Sequence, residues 1–400
     1  MGGVVWGVGF LMRVGFISMD WAGGVRDNTF IPLILDGEPI QGGSGHVRIG
    51  QYIPYFPAYG IQPVFGLPVF DERTQRLGVN EWPGRLDFDF DVIYMQRLMS
   101  RDHIRQIKAA RASGQIVIND VDDWYWDLGK NHITSKNVDP TRSPDTNIDI
   151  YRQVLSLSDA VVVSSEFLKN KISEWNSFVK IHYNFVNTAA FARENTYEQK
   201  DRIVIGWTGS IPFRSGADLK ILRPYSKEIT KFARWHHSGG ASSFTKSYDV
   251  YNRFFKQIGV EAPMVTESPI VPPTMMAQQM CFDVGIVPLE DIPFNHAKSY
   301  MKGIEYSASG LPFVASPLPQ YIYLKNKYDI GVVVDHPSQY VDELRKCLNA
   351  SYREEQGQKN LELVIKHLDV IDGAGYLSKT IKSIVNKTVK ERKKYAQVTA

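Results

Sequence analysis

Four side chains in the later half of the sequence are of the types that together hold a diphosphate and a pentose. Arg214 carries a planar guanidinium fork that matches pairs of phosphate oxygens. Lys298 and Lys302 are spaced one helical turn apart and bring two point charges. Glu305 follows on the same turn spacing, and a carboxylate there can accept hydrogen bonds from two vicinal hydroxyls. Ahead of Arg214, in GWTGSIPFRSGADL (206–219), Gly209 and Ser210 make a turn directly after an apolar run. Such a turn offers backbone N–H groups to an anion. The spacing is neither the GxGxxG fingerprint nor a P-loop. Each piece alone also has a plain reading, a strand-end turn and a solvated Lys–Glu helix face. Together they provide the charge that a leaving diphosphate requires as its bond to a sugar breaks.

A second constellation lies earlier. Asp120-Val121-Asp122 is a literal Asp-x-Asp followed by Asp123 and Trp124. Carboxylates in this pattern can hold a divalent cation against a diphosphate, bind a hydroxylated acceptor, or cap the next turn. Trp124 and Trp126 can stack on a sugar ring or fill a core. Gly42, Gly43 and Gly45 permit a close backbone approach to a ligand, and His46 and Arg48 follow them. His46, His132 and His182 each read as a structural histidine or as a base.

The elements that must position these groups follow from the hydrophobic pattern. Asn295 reads as an N-cap and Gly310 as the C′ stop of one helix, with Pro312 after it. Met301, Ile304, Ala308 and Leu311 make its apolar face, and Lys298, Lys302, Glu305 and Ser309 share another. Buried strands are expected at 12–18, 61–65, 91–96, 115–119, 160–164 and 179–183, and again at 202–207, 232–236, 282–288, 312–316 and 331–334. Helices alternate with them. The fold class is therefore α/β, two doubly wound parallel-sheet (Rossmann-like) domains facing across a cleft. The expected boundaries are a first domain at 12–190, a linker at 191–201, a second domain at 202–375, and a helix with a basic tail at 376–400 that packs back on the first domain. Ligands of open α/β sheets lie beyond the strands' carboxyl ends, and Gly43–Arg48, Asp120–Trp124, Gly209–Arg214 and Asn295–Glu305 all fall at such ends. The stretches 66–90, 127–147 and 236–270 are expected to govern acceptor choice.

Composition narrows the function class. The 400 residues are 43% hydrophobic and 22% charged, a soluble globular balance large enough for two domains. A formal net charge of +3 gives no basis for nucleic-acid binding. The two cysteines, Cys281 and Cys347, have no metal or disulfide spacing. The opening apolar run is too short to span a bilayer and is broken by Arg13, so residues 1–11 read as an extension. With no transmembrane segment in the pattern, the expected location is the cytoplasm.

The later half resembles the nucleotide-sugar domain of GT-B glycosyltransferases, in particular the retaining family-4-like group. The matching segments are IGWTGS (205–210), FDVGIVPL (282–289) and KSYMKGIEYSASGLPFVAS (298–316). The earlier half resembles the same family at GSGHVRI (43–49), DAVVVSSEFL (159–168) and YNFVN (183–187). The resemblance implies the GT-B architecture and transfer of a sugar from a UDP- or GDP-sugar to a hydroxyl acceptor, with retention, no metal and no further cofactor. It implies Glu305 as the ribose carboxylate, the second Glu of the family's Glu-x7-Glu pattern; the first position is Ala297. Arg214, Lys298 and Glu305 form the implied catalytic set. Gly45, Gly209, Ser210, Ser299 and Lys302 complete the donor side, and His46, Arg48, Asp120, Asp122, Asp123 and Trp124 the acceptor side. Three other readings stay open: metal-dependent transfer through Asp120 and Asp122, a sugar-nucleotide epimerase of the same fold, and a non-catalytic carbohydrate- or protein-binding module.

Overall fold

The computed structural model describes residues 11–399 apart from 21–22, 27–28, 33, 36–37, 40–42, 83, 129–134, 210–216, 240–254, 262 and 268–272. Gly42, His132, Ser210 and Arg214 thus lie outside the described residues, as do residues 1–10 and parts of 127–147 and 236–270.

The first sheet runs, edge to edge, Val179–Ile181, Ala160–Val163, Ile116–Val121, Val92–Gln96, Met12–Ser18, Ile61–Asp71, Arg76–Glu81, Arg85–Asp87. Its inner strands are runs of β-branched and aromatic residues buried on both faces, the pattern a helix-covered parallel sheet demands. Register is parallel through Met12↔Ile61, Val14↔Val92, Ile116↔Val92 and Ile118↔Ala160. One departure from the expected all-parallel sheet is local. Ile61–Asp71 outruns its parallel neighbour and returns through Arg76–Glu81 and Arg85–Asp87 as an antiparallel ribbon. Gln115 anchors that ribbon through hydrogen bonds to both the N–H and the carbonyl of Leu77. Part of the stretch expected to govern acceptor choice, 66–90, is therefore sheet edge.

The second sheet runs Met264–Glu267, Ala233–Gly239, Ile203–Thr208, Val284–Val287, Phe313–Ala315, Val332–Val333, and every pairing is parallel. In sequence order its strands lie 3-2-1-4-5-6, so the order reverses between Ile203–Thr208 and Val284–Val287. In the first sheet it reverses at Met12–Ser18, beside Val92–Gln96. At such points adjacent crossovers leave to opposite faces and open a crevice beyond the carboxyl ends.

The chain crosses between the halves twice, side by side. Val186 N–H donates to Leu368 O at 3.0 Å, and Val370 N–H donates to Val186 O at 2.9 Å. The helix Val370–Thr399 then lies along the first half. Its inward face is Ala374, Leu377, Ile381, Ile384 and Val385, all buried. Lys382 donates to Tyr59 O at 2.6 Å, and Arg392 reaches Gly114 O, Gln115 O and Asp159 at the amino ends of the sheet. Lys387, from the same basic cluster, lies 3.8 Å from the centre of the Phe178 ring. No helix among the described residues is long and apolar enough to cross a membrane.

Candidate functional site at the carboxyl ends of both sheets

The second sheet's crevice is built around Gly209. Strand Ile203–Thr208 ends there at φ +117, a backbone conformation that side chains other than glycine rarely adopt. Gly209 N–H donates to Ser238 O at 3.0 Å, and Thr208 N–H to the Tyr306 hydroxyl at 3.0 Å. The glycine also makes room for Lys302. A Cβ at position 209 would stand 2.7 Å from Lys302 Nζ, which lies 5.2 Å from the centre of the Trp207 ring. Below the same turn, His237 packs against Gly209 O, and burial lowers its pKa to about 4.

Lys302 and Glu305 come from the helix Met301–Ala308, which ends, as expected, at Gly310 with φ +67. Its start differs from the sequence expectation. The N-cap is Tyr300, and Asn295 sits inside a separate turn, Pro293–His296, that Pro293 initiates. The buried Asn295 amide donates to Asp218 Oδ1 at 2.7 Å and to Glu290 O at 2.9 Å, so its side chain is consumed by tertiary contacts. Lys298 and Ser299 therefore occupy the connection between the two helices. Ser309 leaves the proposed face as well, its hydroxyl donating to Phe191 O.

The Glu305 side chain is buried, and among the described residues its carboxylate accepts no hydrogen bond. Burial pushes its carboxyl up to about 7, with the Lys302 charge pulling the other way. The folded protein thus keeps this proton to about pH 7, whereas the unfolded chain releases it near 4.5. Between those values the folded state binds more protons, so stability falls as pH rises. Glu305→Gln removes this contribution. Denaturant titrations of both proteins at about pH 5 and about pH 8 are expected to show a smaller pH difference in the variant. Identical differences would mean that Glu305 is already ionised at the lower pH.

The first sheet's crevice is lined by charge. Asp20 follows the first strand and Arg97 follows Val92–Gln96, and they pair at 2.6 Å. Arg97 has φ +60, a conformation uncommon for a non-glycine residue and concentrated at functional sites. Gln96 and the backbone N–H of Gly45 both donate to Asp20 Oδ2 at 3.2 Å. Asp20 and Arg97 escaped the sequence reading, although Arg97 directly follows one of the strands that flank the reversal and Asp20 lies two residues past the other. Beside them, the Asp122 carboxyl is pushed up to about 7, first by burial and then by Asp123, while Arg97 and the Ser44 hydroxyl oppose the shift. Asp122 Oδ1 is buried with no hydrogen-bond partner among the described residues. His46 stands on the same helix as Gly45, and burial lowers its pKa to about 4, so it is neutral at pH 7.

Three expected acceptor-side residues do not face the crevice. Arg48 and Asp120 are wholly buried and paired with each other, Nε–Oδ1 at 2.8 Å and Nη2–Oδ2 at 2.7 Å. The Tyr94 hydroxyl also donates to Asp120. Both Asp120 oxygens are thus occupied by internal donors and unexposed, so this carboxylate does not face the crevice. Among the described residues no three His, Cys, Asp or Glu side chains are placed to share a metal ion. Trp124 is also buried, stacked on Trp175 with centroids 5.6 Å apart and close to Trp126, and its indole N–H donates to Asp127. Its ring faces are occupied by core aromatics, so it offers none to a sugar.

The two crevices meet through Lys298. Its Nζ lies 2.6 Å from Asp123 Oδ1, a contact between the halves in which the side chains are 16% and 18% exposed. Gly45, Asp122, Asp123 and Lys298 are thus gathered on one side, and Gly209, Lys302 and Glu305 on the other. Ala297, at the first position of the Glu-x7-Glu pattern, is wholly buried in the apolar cluster of the first half.

No protein-family description and no curated protein sequence matches this chain. Solved structures do match. Sucrose-phosphate synthase from Thermosynechococcus elongatus is 12% identical, with a TM-score of 0.63 over 94% of this chain and 100% of that one. Anabaena HepE in complex with UDP-glucose is 13% identical, with a TM-score of 0.61 over 93% and 100%. A glycosyltransferase from Rickettsia africae ESF-5 is 12% identical, with a TM-score of 0.59 over 94% and 99%. The chain has the GT-B glycosyltransferase fold, with two Rossmann-like sheets whose carboxyl ends face each other.

Proposed function

We propose that this chain transfers a sugar from a nucleoside-diphosphate donor to an acceptor hydroxyl, with retention of configuration and without a metal ion. The observation that carries this reading is the Gly209–Lys302–Glu305 arrangement. A positive-φ glycine ends the first strand of the second sheet, an ammonium lies against it, and a buried carboxylate with no hydrogen bond among the described residues follows one turn on. The turn and Lys302 suit a phosphate, and Glu305 suits the two hydroxyls of a ribose. The solved structure of HepE with UDP-glucose, on the same fold, makes such a donor a natural first choice. In this reading 202–375 holds the donor and 12–190 the acceptor. Arg214, Ser210 and Ser299 join Lys302 and Lys298 on the diphosphate, while Gly45, His46, Asp122 and Asp123 face the acceptor.

In the reaction the bond from the sugar's anomeric carbon to the diphosphate oxygen breaks, and a bond to the acceptor oxygen forms. The acceptor proton passes to the departing diphosphate, so no protein nucleophile is required. The cations stabilise the charge that grows on the leaving group. Incubation with a panel of UDP- and GDP-sugars, with and without EDTA, tests the proposal. The expected result is donor cleavage at the same rate in both, and a nucleotide-induced rise in melting temperature. Absence of both effects with every nucleotide overturns it, and inhibition by EDTA overturns metal independence.

A further inference from the structure

The segment His296-Ala297-Lys298 belongs to the second half in sequence but reaches the first. Ala297 is wholly buried in the first half's apolar cluster, and the His296 ring stands edge-on to Phe167 with centroids 5.7 Å apart. Lys298 then extends its ammonium 4.3 Å above the centre of the Phe294 ring to reach Asp123 at 2.6 Å. Solvent screens this pair little, because fewer than one-fifth of either side chain is exposed. Four residues further on, inside the helix Met301–Ala308, Lys302 lies against Gly209 of its own sheet. The two lysines of the phosphate site are thus held differently, Lys302 by the glycine turn and Lys298 by a carboxylate of the opposite domain.

That difference matters for a ligand with two phosphates. If Glu305 grips the ribose, the first phosphate falls to the Gly209 turn and Lys302. The second lies further from the ribose, toward the first half, where Lys298 stands. Resting on the nucleotide reading above, we propose that Asp123 is a positioning residue for Lys298, holding its ammonium at the cleft and competing with the second phosphate for it. Binding of a diphosphate then exchanges one ion pair for another, and the affinity gained is only the difference between them. A monophosphate ends before Lys298 and leaves the pair untouched. Asp123 therefore sets how tightly the diphosphate is held and how readily it departs after transfer.

Calorimetric titration of UDP, UMP, GDP and GMP into the full chain tests this. Asp123→Asn is expected to tighten diphosphate binding about tenfold and to change monophosphate binding by less than about twofold. Lys298→Met is expected to weaken diphosphate binding, and adding D123N to K298M is expected to give no further tightening. The D123N gain is expected to shrink as salt is raised. Asp123→Ser repeats the test with a shorter neutral side chain, and circular dichroism reports whether each variant is folded. The proposal fails if D123N weakens or does not change diphosphate binding. It also fails if D123N shifts monophosphate and diphosphate alike, or tightens binding equally without Lys298. Wild-type protein that binds none of the four nucleotides would instead remove the nucleotide reading itself, which keeps the two failures apart.

Discussion

Glu305→Ala is expected to weaken binding of the cognate nucleoside diphosphate by about 100-fold while leaving the protein at least as stable as the wild type near pH 8. The loss comes from two ribose hydroxyls that each donate to an ionised carboxylate, together on the order of 3 kcal/mol. The stability change has the opposite sign because, in the free protein, burial costs the ionised carboxylate more than the Lys302 charge returns. Glu305 is buried, its carboxyl is pushed up to about 7 by that burial, and no hydrogen bond to it forms among the described residues. Near pH 8 the ionised group is a desolvation cost, which alanine removes. Opposite signs for binding and stability distinguish a group kept for a ligand from one kept for the fold. Titration of UDP and GDP into both proteins, with denaturant unfolding at the same pH, reads both quantities. A variant that binds within about twofold of wild type shows that Glu305 does not hold the ribose. One that is markedly less stable shows that Glu305 belongs to the fold.

Much of the architecture was legible because a parallel sheet covered on both faces imposes a severe pattern. Segments such as AVVV and RIVIGW have few alternatives to a buried strand, and they form one. The reading failed where a tertiary contact outcompeted a local signal. Asn295 has the chemistry of a helix cap, but Asp218, far away in sequence, takes its amide, and Pro293 starts a turn of its own. The ribbon Arg76–Glu81 with Arg85–Asp87 was missed because its short strands are polar and fit a loop equally well. At the site, residue type indicated which groups could do chemistry but not their direction. Asp120 and Asp122 are two positions apart, a spacing that would put both on one face of a continuing strand, but the strand ends at Val121 and only Asp120 belongs to it. Asp120 points into the core, whereas Asp122 lies beside Ser44 and Arg97. Asp20 and Arg97 carried no motif at all, and only their places at the strand reversal mark them.

The Arg48–Asp120 pair provides the sharpest test of that distinction. Arg48→Met is expected to destabilise the protein by about 3–5 kcal/mol, because it leaves a buried carboxylate without its cation. The arginine is fully committed to the interior. Beyond its two bonds to Asp120, its Nη1 donates to His182 O and to Asn184 Oδ1, both at 2.6 Å. Methionine fills the volume and satisfies none of these acceptors, and each unpaired buried group adds to the cost. Because the pair joins the 43–48 helix to the end of strand Ile116–Val121, the unfolding midpoint should fall by about 10 °C, a shift that thermal melts followed by circular dichroism resolve. Replacing both partners, as in R48M/D120L, is expected to recover a substantial part of the loss, since an apolar pair of similar volume carries no desolvated charge. Nucleotide binding by the folded fraction of R48M should stay within about twofold of wild type, as neither residue reaches the crevice. A variant with an unchanged melting curve and lost transfer activity would restore Arg48 to the acceptor site, and with it the direct reading of the Asp-x-Asp motif.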